Sequence, residues 1–405
     1  MNLKLYQSPG YHTFFGYYDK ANISKDQNVI LANRTKTNEN INYGDILELG
    51  YFLSGNTTKF NVIAETSSWN WQQGAMLQFW DDSYETVGFN YLDGDQVRAK
   101  ICNLKGSVLK DKLPPIYFKN INAPYYYSLN FKILSTCRVG YDYKMKNLNE
   151  NLGQPYISKV NVADGKEEIL LTLKDLLREV ETTITGEERH YFEHISESPN
   201  GDYVLFMHRW FTKGGELHTH LYRLGKDRSL ENLSPSGRAS HFNWIDDTNI
   251  TCFMGATALA NSIRSKYSDY LIYKIIKAAY QKIFSFQSVM SSKVRSEGYF
   301  IVDVNGRKLE KIRELANLND GHPTRKFGDF LITDTYPDKN LEQRIFLYNF
   351  SDNSLQLLFE DRVQTADGIN RCDFHPRLSP CEKLLSFDLH KNAELRAVAV
   401  LNLPI

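Results

Sequence analysis

One short pattern recurs seven times along this chain and constrains the fold more than any other feature. In each copy, a loop rich in His, Asp or aromatic residues is followed by a turn and then by a short apolar run. The copies cover residues 17–34, 69–90, 123–138, 191–210, 240–255, 320–338 and 371–390. Self-similarity at intervals of about fifty residues is typical of architectures in which each repeat packs on its neighbours.

Most copies are followed by a second pair of apolar runs, joined by turns such as Asp-Gly, Asn-Gly and Lys-Gly. These dipeptides tolerate the positive φ that tight hairpins require. Four short antiparallel strands in each repeat are typical of a β-propeller. The sequence therefore predicts an all-β protein, a seven-bladed β-propeller that forms a single domain over residues 1–405. A pair of β-sandwiches with coincidental turns is the alternative.

Composition excludes several classes of function. The chain has 48 basic and 48 acidic residues, so no overall field attracts nucleic acid, and we expect no nucleic-acid partner. The five cysteines are scattered and form no CxxC pair, which indicates free thiols in a reducing compartment. Neither a signal peptide nor an apolar run of ~18 residues is present, and the expected location is cytoplasmic.

Two segments break the strand rhythm. Residues 173–184 read as a helix before the fourth blade, and residues 262–295 read as a basic amphipathic helical insertion in the fifth blade. The insertion carries seven Lys or Arg residues and one Asp, with lysines between apolar positions at helical spacing. Such a helix can lie on an anionic membrane surface, which would place the protein at the inner membrane face. The alternative is that it packs on the propeller with its lysines in water.

Four of the repeats place a histidine shortly before the turn: His194, His241, His322 and His375. Equivalent positions of propeller blades converge on the central axis, so we expect the four imidazoles in one pocket. Imidazole can ligate a divalent metal or transfer a proton near neutral pH. A single histidine is more often structural, but four at the same point of successive repeats indicate a site.

The last repeat adds oxygen ligands in the segment NRCDFHP, namely Asn370 and Asp373 beside His375. Imidazole combined with carboxylate and amide oxygen suits a divalent cation such as manganese or calcium. Four arginines end or adjoin repeats: Arg34, Arg138, Arg209 and Arg377. Guanidinium groups bind carboxylates in a bidentate manner, although salt bridges between blades are an equal alternative. Together with Tyr18 and Tyr336, these groups suit an anionic sugar.

The segments FEHISESPNGD, SHFNW and NRCDFHP resemble segments of the oligogalacturonate lyases, a group of TolB-type propellers. Those seven-bladed enzymes cleave uronate-containing chains by β-elimination. The resemblance is best from Tyr191 onwards. It implies that His194 is the base and that the metal ligands are His241, Asn370, Asp373 and His375. Asn370 and Asp373 stand where the lyases have Gln and His, so the cation itself is left open.

The elimination mechanism implies roles for further residues of the pocket. A uronate proton at C5 becomes acidic when the carboxylate is neutralised, and a neutral imidazole can then remove it. Arg209 or Arg377 would bind the carboxylate, and His322 would orient sugar or metal. The other expected catalytic residues are His208, Asp334 and Tyr336, and the other expected substrate-binding residues are Arg34, Arg138, Asp320 and Tyr18. His208, Asp320, Asp334 and Tyr336 match nothing in the lyases, which indicates a different substrate.

Two other functions remain open. A glycoside hydrolase acting on an anionic bacterial surface glycan would use paired aspartates of the same pocket, such as Asp320 and Asp334. A propeller that only binds other proteins is the third possibility, because fold alone does not determine function. On the enzyme hypotheses the partner is an anionic oligosaccharide or polysaccharide, either imported or met during glycan synthesis at the membrane.

Overall fold

Seven separate β-sheets make up the protein, and each contains three or four strands. The computed structural model describes residues 2–38, 40–148, 150, 152–179, 189–215, 217–234, 237–256, 297–305, 309–324, 330–363, 371–391 and 395–403. Consecutive sheets use consecutive stretches of the chain, except that the last sheet also takes the N-terminal strand. The predicted all-β fold with seven blades is confirmed.

A blade is one of these sheets, and strands are numbered in chain order. Blades 1 and 2 contain β2 (His12–Phe14), β3 (Val29–Thr35), β4 (Leu47–Leu53), β5 (Asn61–Thr66), β6 (Gln78–Phe79), β7 (Thr86–Asp93), β8 (Gln96–Asn103) and β9 (Val108–Leu113). Blades 3 and 4 contain β10 (Tyr125–Leu129), β11 (Tyr156–Asn161), β12 (Glu167–Thr172), β13 (Arg189–Glu197), β14 (Tyr203–Phe211), β15 (Leu217–Gly225) and β16 (Leu230–Asn232). Blades 5 and 6 contain β17 (Gly237–Trp244), β18 (Asn249–Ala256), β19 (Glu297–Asp303), β20 (Leu309–Lys311), β21 (Pro323–Thr324), β22 (Phe330–Asp334), β23 (Glu342–Asn349) and β24 (Ser354–Arg362). Blade 7 contains β25 (Arg377–Leu378), β26 (Leu384–Lys391), β27 (Leu395–Asn402) and β1 (Leu3–Tyr6).

The two ends of the chain close the ring. Strand β1 pairs antiparallel with β27, so that Leu3 lies opposite Leu401 and Tyr6 lies opposite Val398. Blade 7 is therefore built from both termini, and its outermost strand comes from the start of the sequence. This pairing holds the two ends of the chain together and so closes the ring of blades.

Blade 3 differs from the sequence-based expectation. The apolar run near residue 133 was expected to form a strand, but it forms helix α1 (Phe131–Cys137). The side chain of Asn130 accepts a hydrogen bond from the backbone N–H of Ile133, and this cap favours a helix at that point. Blade 3 accordingly has three strands, with an isolated bridge between Phe118 and Tyr127 beside them.

The two predicted helical segments are only partly within the described residues. The segment 173–184 contains helix α2 (Leu173–Glu179), and its remaining residues lie outside them. The segment 262–295 falls between β18 and β19 and so belongs to blade 5, but its predicted helix also lies outside the described residues. Among the helices that are described, none has the length and apolar character needed to span a bilayer.

Apolar side chains fill the spaces between neighbouring blades. One cluster includes Phe14, Trp69 and Val398, which come from blade 1, the loop before blade 2 and blade 7. Another includes Leu129 of blade 3 and Phe206 of blade 4. This packing fixes the blades around the axis and so holds the first strand of each blade against the centre of the ring.

Candidate active site

Irregular backbone turns three histidines toward the centre of the ring. The pairing of β13 with β14 shifts register at His194, and the pairing of β17 with β18 shifts in the same way at His241. A bulge of this kind bends the strand and re-aims a side chain. His194 has a φ of 54° and His375 a φ of 47°, in the left-handed region that residues other than glycine rarely adopt.

Four buried histidines, one from each of blades 4 to 7, meet at this point. The ring centroids of His194 and His241 lie 6.0 Å apart, and those of His241 and His322 lie 4.2 Å apart. The centroids of His322 and His375 lie 4.3 Å apart. We call these four residues the channel histidines. The structure thus brings together the four imidazoles that the repeats place at equivalent positions.

Two tyrosines that follow β2 fill the space between the channel histidines. The ring of Tyr17 stacks on His194 at 5.0 Å and meets His375 at 5.1 Å. The ring of Tyr18 lies 5.2 Å from His322. The Tyr18 hydroxyl donates to the backbone carbonyl of Phe242 at 2.9 Å, so this residue offers the site its ring more than its hydroxyl.

Carboxylates orient two of the imidazoles. His241 Nδ1 lies 3.1 Å from Asp320 Oδ1, and His322 Nδ1 lies 2.9 Å and 3.0 Å from the two oxygens of Asp334. Asp334 also accepts hydrogen bonds from the backbone N–H groups of His322 and His375. Such a carboxylate fixes the tautomer of the ring and leaves Nε2 for another partner.

The channel histidines differ in charge state. Burial lowers the pKa of His194 and of His375 well below the ordinary value, and the cations around them lower it further. Burial and His322 lower the pKa of His241 to about 4. Burial lowers the pKa of His322 as well, but the carboxylates of Asp334, Asp373 and Asp320 together outweigh it and the pKa ends above the ordinary value. Neutral and protonatable imidazoles therefore lie in contact with each other.

Three residues of the site fit a divalent cation. One ligand atom each from His322, Asp373 and His375 lies within 4.8 Å of the others, and all three residues are buried. Among the described residues, no hydrogen-bond partner is present for His322 Nε2 or His375 Nε2. Two imidazole nitrogens with a carboxylate oxygen form a donor set that borderline divalent metals accept. The grouping differs from the expected one, because His322 joins Asp373 and His375 where His241 was expected.

The surroundings of His194 fix its ring. His194 Nε2 lies 3.2 Å from the Tyr17 hydroxyl and 3.4 Å from Glu193 Oε1. Its backbone N–H donates to the Tyr117 hydroxyl at 2.7 Å. Its Nδ1 is buried and has no hydrogen-bond partner in the described part of the chain. An imidazole that is neutral, held at one nitrogen and unpartnered at the other has the arrangement of a general base.

Glu193 brings two arginines to the site. Arg209 Nε lies 2.7 Å from Glu193 Oε1, and Arg138 Nε lies 3.7 Å from Glu193 Oε2. The Arg209 side chain is only 8% exposed, whereas that of Arg138 is 26% exposed and lies over the ring of Tyr141. Arg209 is thus enclosed beside Glu193, and Arg138 is the more exposed of the two arginines.

A third arginine comes from the segment before His375. Arg371 Nε lies 2.9 Å from Asp373 Oδ2, its side chain is 21% exposed, and its guanidinium lies over the ring of Tyr336. The ring of Tyr336 lies 5.5 Å from that of His322. Arg371 and Arg138 are therefore partly exposed cations next to carboxylates of the site.

Three expected site residues do not join this group. The guanidinium of Arg34 pairs with Glu48, and that of Arg377 is buried and bonds to Asp388 and to the backbone carbonyl of Gly16. Because protein partners occupy these groups, the structure does not support their assignment to substrate binding. His208 lies on β14 inside blade 4 and pairs with another histidine of that blade, so its position does not support a catalytic role. Asn370 lies outside the described residues.

A cavity of about 320 Å³ borders the channel histidines, since His194 is among the residues that line it. Besides His194, the residues of blades 4 to 7 that line it follow the channel histidines along the chain, whereas Glu193, Asp320 and Asp373 precede them. Its charged and amide lining includes Asp19, Lys20, Lys119, Glu197 and Asn243. Tyr17, Tyr18 and Arg377 also line this cavity.

Sequence reasoning did not assign roles to Glu193, Tyr141 or Arg371. Glu193 and Arg371 each lie within the motifs that contain His194 and His375, so adjacency to those histidines was a usable signal. Tyr141 follows helix α1 and belongs to no repeat, and the sequence carries no signal for it.

Comparison with solved structures finds the same fold in two oligogalacturonate lyases. One, from Vibrio parahaemolyticus, matches with a TM-score of 0.59 at 10% identity, over 100% of this chain and 97% of that chain. The other, in complex with manganese, matches with a TM-score of 0.62 at 11% identity, over 100% of this chain and 96% of that chain. No family model matches the sequence, and no curated protein matches it either. At these identities the likeness shows a fold of the oligogalacturonate lyase type, not the activity.

Proposed function

We propose that the protein is a carbohydrate-active lyase that cleaves a uronate-containing oligosaccharide or polysaccharide by β-elimination. The observation that carries the proposal is His194, a buried imidazole with a lowered pKa and an unpartnered Nδ1, close to partly exposed arginines. Elimination from a uronate needs these two elements, a neutral base and a positive charge for the carboxylate.

The first step is binding of the uronate carboxylate. Arg138 and Arg371 are the arginines with exposed surface, and guanidinium binds carboxylate through paired N–H groups. Neutralising the carboxylate makes the proton at C5 more acidic. This assignment replaces Arg209 and Arg377, whose guanidinium groups are enclosed beside Glu193 and Asp388.

The second step is removal of the C5 proton. His194 accepts it at Nδ1, while Glu193 and Tyr17 hold the ring through Nε2. The electron pair of the C–H bond forms the new double bond between C4 and C5 as the bond from C4 to its oxygen breaks. The departing oxygen leaves with the other part of the sugar chain and takes a proton from water. The low dielectric around His194 keeps the base neutral before the reaction, so it does not have to lose a proton first.

A divalent cation held by His322, Asp373 and His375 would supply further positive charge for the uronate carboxylate when bound. The two nitrogen donors favour manganese over calcium, which prefers oxygen ligands alone. Support comes from the structurally similar oligogalacturonate lyase that is described in complex with manganese. Asp334 fixes the ring of His322 and thereby positions its Nε2.

Hydrolysis through aspartates is the weaker alternative. A glycoside hydrolase needs two carboxyl groups that face the sugar from either side of the bond. Asp334 is fully buried and accepts hydrogen bonds from His322 and His375, and Asp320 is held by His241. Both carboxylates orient histidines, and this use favours elimination over hydrolysis.

The test is an ultraviolet assay of the purified protein against uronate-containing oligosaccharides, with and without added manganese. Elimination creates a conjugated unsaturated uronate, so absorbance rises with time. New reducing ends without absorbance would show hydrolysis instead. Absence of both products across galacturonate, glucuronate and mannuronate chains would contradict the proposed function.

A further inference from the structure

The cavity of about 320 Å³ that borders His194 is built by all seven blades. The blades contribute through β6, β13, β17, β21 and β25 and through the chain next to β2 and β10. The lining shares His194 and Tyr17 with the proposed reaction site, but neither Arg138 nor Arg371 nor any of the three proposed metal ligands belongs to it. The proposed reaction therefore assigns no ligand to this cavity.

Aromatic side chains form much of the cavity wall. Seven of them line it: Tyr17, Tyr18, Phe79, Tyr84, Phe118, Phe242 and Trp244. Most of these rings are buried, so they are held in place by the packing of the blades. The face of an aromatic ring packs against apolar groups and also attracts cations. The wall therefore suits a ligand that has an apolar body, a positive charge or both.

The three cations of the lining already have protein partners. Lys20 Nζ lies 2.7 Å and 2.8 Å from the two oxygens of Asp19. Lys119 Nζ donates to three backbone carbonyls at 2.7 to 3.3 Å, and the Arg377 guanidinium is held by Asp388. Within the described part of the chain, the lining therefore offers no unpaired cation to an anionic ligand.

Glu197 is a carboxylate of the lining without a cationic partner. It is 4% exposed, and its Oε1 accepts hydrogen bonds from the hydroxyls of Tyr125 and Tyr127, both at 2.7 Å. Among the residues that the structure describes, its Oε2 has no hydrogen-bond partner and its carboxylate forms no ion pair. A buried carboxylate is costly unless a charged donor pairs with it. A cation bound in the cavity would therefore stabilise Glu197.

We propose that this cavity binds a primary ammonium group carried by a ligand about the size of one sugar ring. The ammonium donates to Glu197 Oε2, and the body of the ligand packs on the aromatic wall. The volume lies at the lower end of the range for small-molecule sites. The inference goes beyond the proposed lyase function and does not depend on it.

A metal ion is a poorer occupant than an ammonium group. Calcium and magnesium need roughly six or more oxygen ligands, whereas aromatic rings form much of this wall. Among the described residues, the cluster with the spacing of metal ligands is that of His322, Asp373 and His375, outside this cavity. The chemistry of the lining thus favours an organic cation.

The first experiment compares amines with alcohols of the same shape, by calorimetry on the wild-type protein. Cyclohexylamine is compared with cyclohexanol, and glucosamine with glucose, at about pH 6.5, where both amines are charged. At least one amine is expected to bind roughly ten-fold or more tightly than its alcohol, because of the charge-assisted hydrogen bond and the aromatic faces. Preference for glucosamine would identify the ligand as an amino sugar, and preference for cyclohexylamine as an amine with an apolar body.

The second experiment tests the carboxylate with Glu197→Gln. Glutamine keeps a carbonyl oxygen for the hydroxyls of Tyr125 and Tyr127 and replaces Oε2 with an amide nitrogen, which cannot accept from an ammonium. The affinity for the amine should fall about ten-fold or more, and the affinity for the alcohol should not change. Glu168→Gln is the matched control, because Glu168 is exposed and pairs with Arg228 outside this cavity.

Thermal unfolding gives an independent measurement. A saturating amine should raise the Tm of the wild-type protein and of Glu168→Gln, because a ligand that binds the folded state stabilises it. It should not raise the Tm of Glu197→Gln. The comparison of amine with alcohol needs no variant, so it decides the question even where Glu197→Gln fails to fold.

Three results would overturn the ammonium site. One is equal affinity for amine and alcohol in both pairs, which would show recognition of shape alone. The others are a lack of binding by both amines, and amine binding that Glu197→Gln leaves unchanged. The proposed lyase function is read separately, from the ultraviolet assay of the wild-type protein, and it can stand when the ammonium site fails.

Discussion

Two groups of four histidines lie in this molecule, and they differ in how the backbone presents them. The channel histidines come from four blades, and bulges or left-handed φ values aim three of them at one point. The second group, His190, His208, His218 and His220, lies on three paired strands of blade 4 in regular register. We call this second set the blade-4 histidines. Regular register places side chains in packing contact, whereas irregular backbone diverts them into the channel.

The two groups also differ in what their rings contact. His208 Nε2 lies 2.9 Å from His190 Nδ1, and the ring of Trp210 stacks between His208 at 4.9 Å and His218 at 5.1 Å. Burial lowers the pKa of His208, and it lowers the pKa of His220 to about 4. In the channel, by contrast, Asp334 raises the pKa of one imidazole while its neighbours stay low. Neighbouring groups whose pKa values are pushed apart are typical of acid–base sites.

The largest expected effect tests the base. In His194→Gln, kcat for elimination should fall about 100- to 10,000-fold, since glutamine cannot take the C5 proton and a positioned base contributes a factor of that size. His220→Gln, from the blade-4 histidines, should keep wild-type kcat. Both are measured by ultraviolet assay at saturating substrate. A loss below ten-fold in His194→Gln would move the base to another residue.

The next effect concerns packing in blade 4. Trp210→Ala should lower the free energy of unfolding by about 3–5 kcal/mol, because the ring is buried between histidines and its removal leaves a cavity. Urea unfolding followed by circular dichroism measures this change. Catalysis by the folded fraction should persist, since the ring of Trp210 packs on the blade-4 histidines and not on the channel histidines. A change below about 1 kcal/mol would show that the stack does not stabilise the blade.

A smaller effect is expected from the carboxylate that holds His322. In Asp334→Asn, manganese affinity should fall about 10- to 100-fold, the usual consequence of removing the partner of a metal-bound imidazole. Calorimetry with manganese chloride measures it, and Asp338→Asn is the matched control because that carboxylate pairs with Arg344 away from the channel histidines. Chelation of the metal should reduce lyase activity in the wild-type protein. Equal manganese affinity in both variants would exclude this role for Asp334.

Much of the fold followed from the repeat, because hairpin turns and apolar runs are local signals that a single sequence displays. The departure at α1 has a local cause too, since the cap at Asn130 outweighs the apolar run that follows. The convergence of the channel histidines was predictable in the same way, from their common position before the turn.

The finer grouping of side chains was not predictable. Whether His241 or His322 joins Asp373 and His375 depends on ring orientations that Asp320 and Asp334 determine across blades. Likewise, nothing in the sequence distinguishes Arg377, which is tied to Asp388, from Arg371, which is partly exposed. Contacts between side chains distant in sequence decide these roles, and no local pattern records them.

The smallest expected effect is the acid sensitivity of the blade-4 histidines. Burial holds the pKa of His220 at about 4 in the folded protein, against 6.5 when exposed, so the unfolded chain binds the proton more readily. The stability linked to this residue is complete above about pH 6.5 and is lost as the pH falls toward 4. His220→Gln cannot titrate, and it should lose roughly 1 kcal/mol less stability than the wild type between about pH 7 and pH 5.5. Urea unfolding at both pH values measures the difference. Equal losses of stability in the two proteins would show that the pKa of His220 is the same in the folded and the unfolded state.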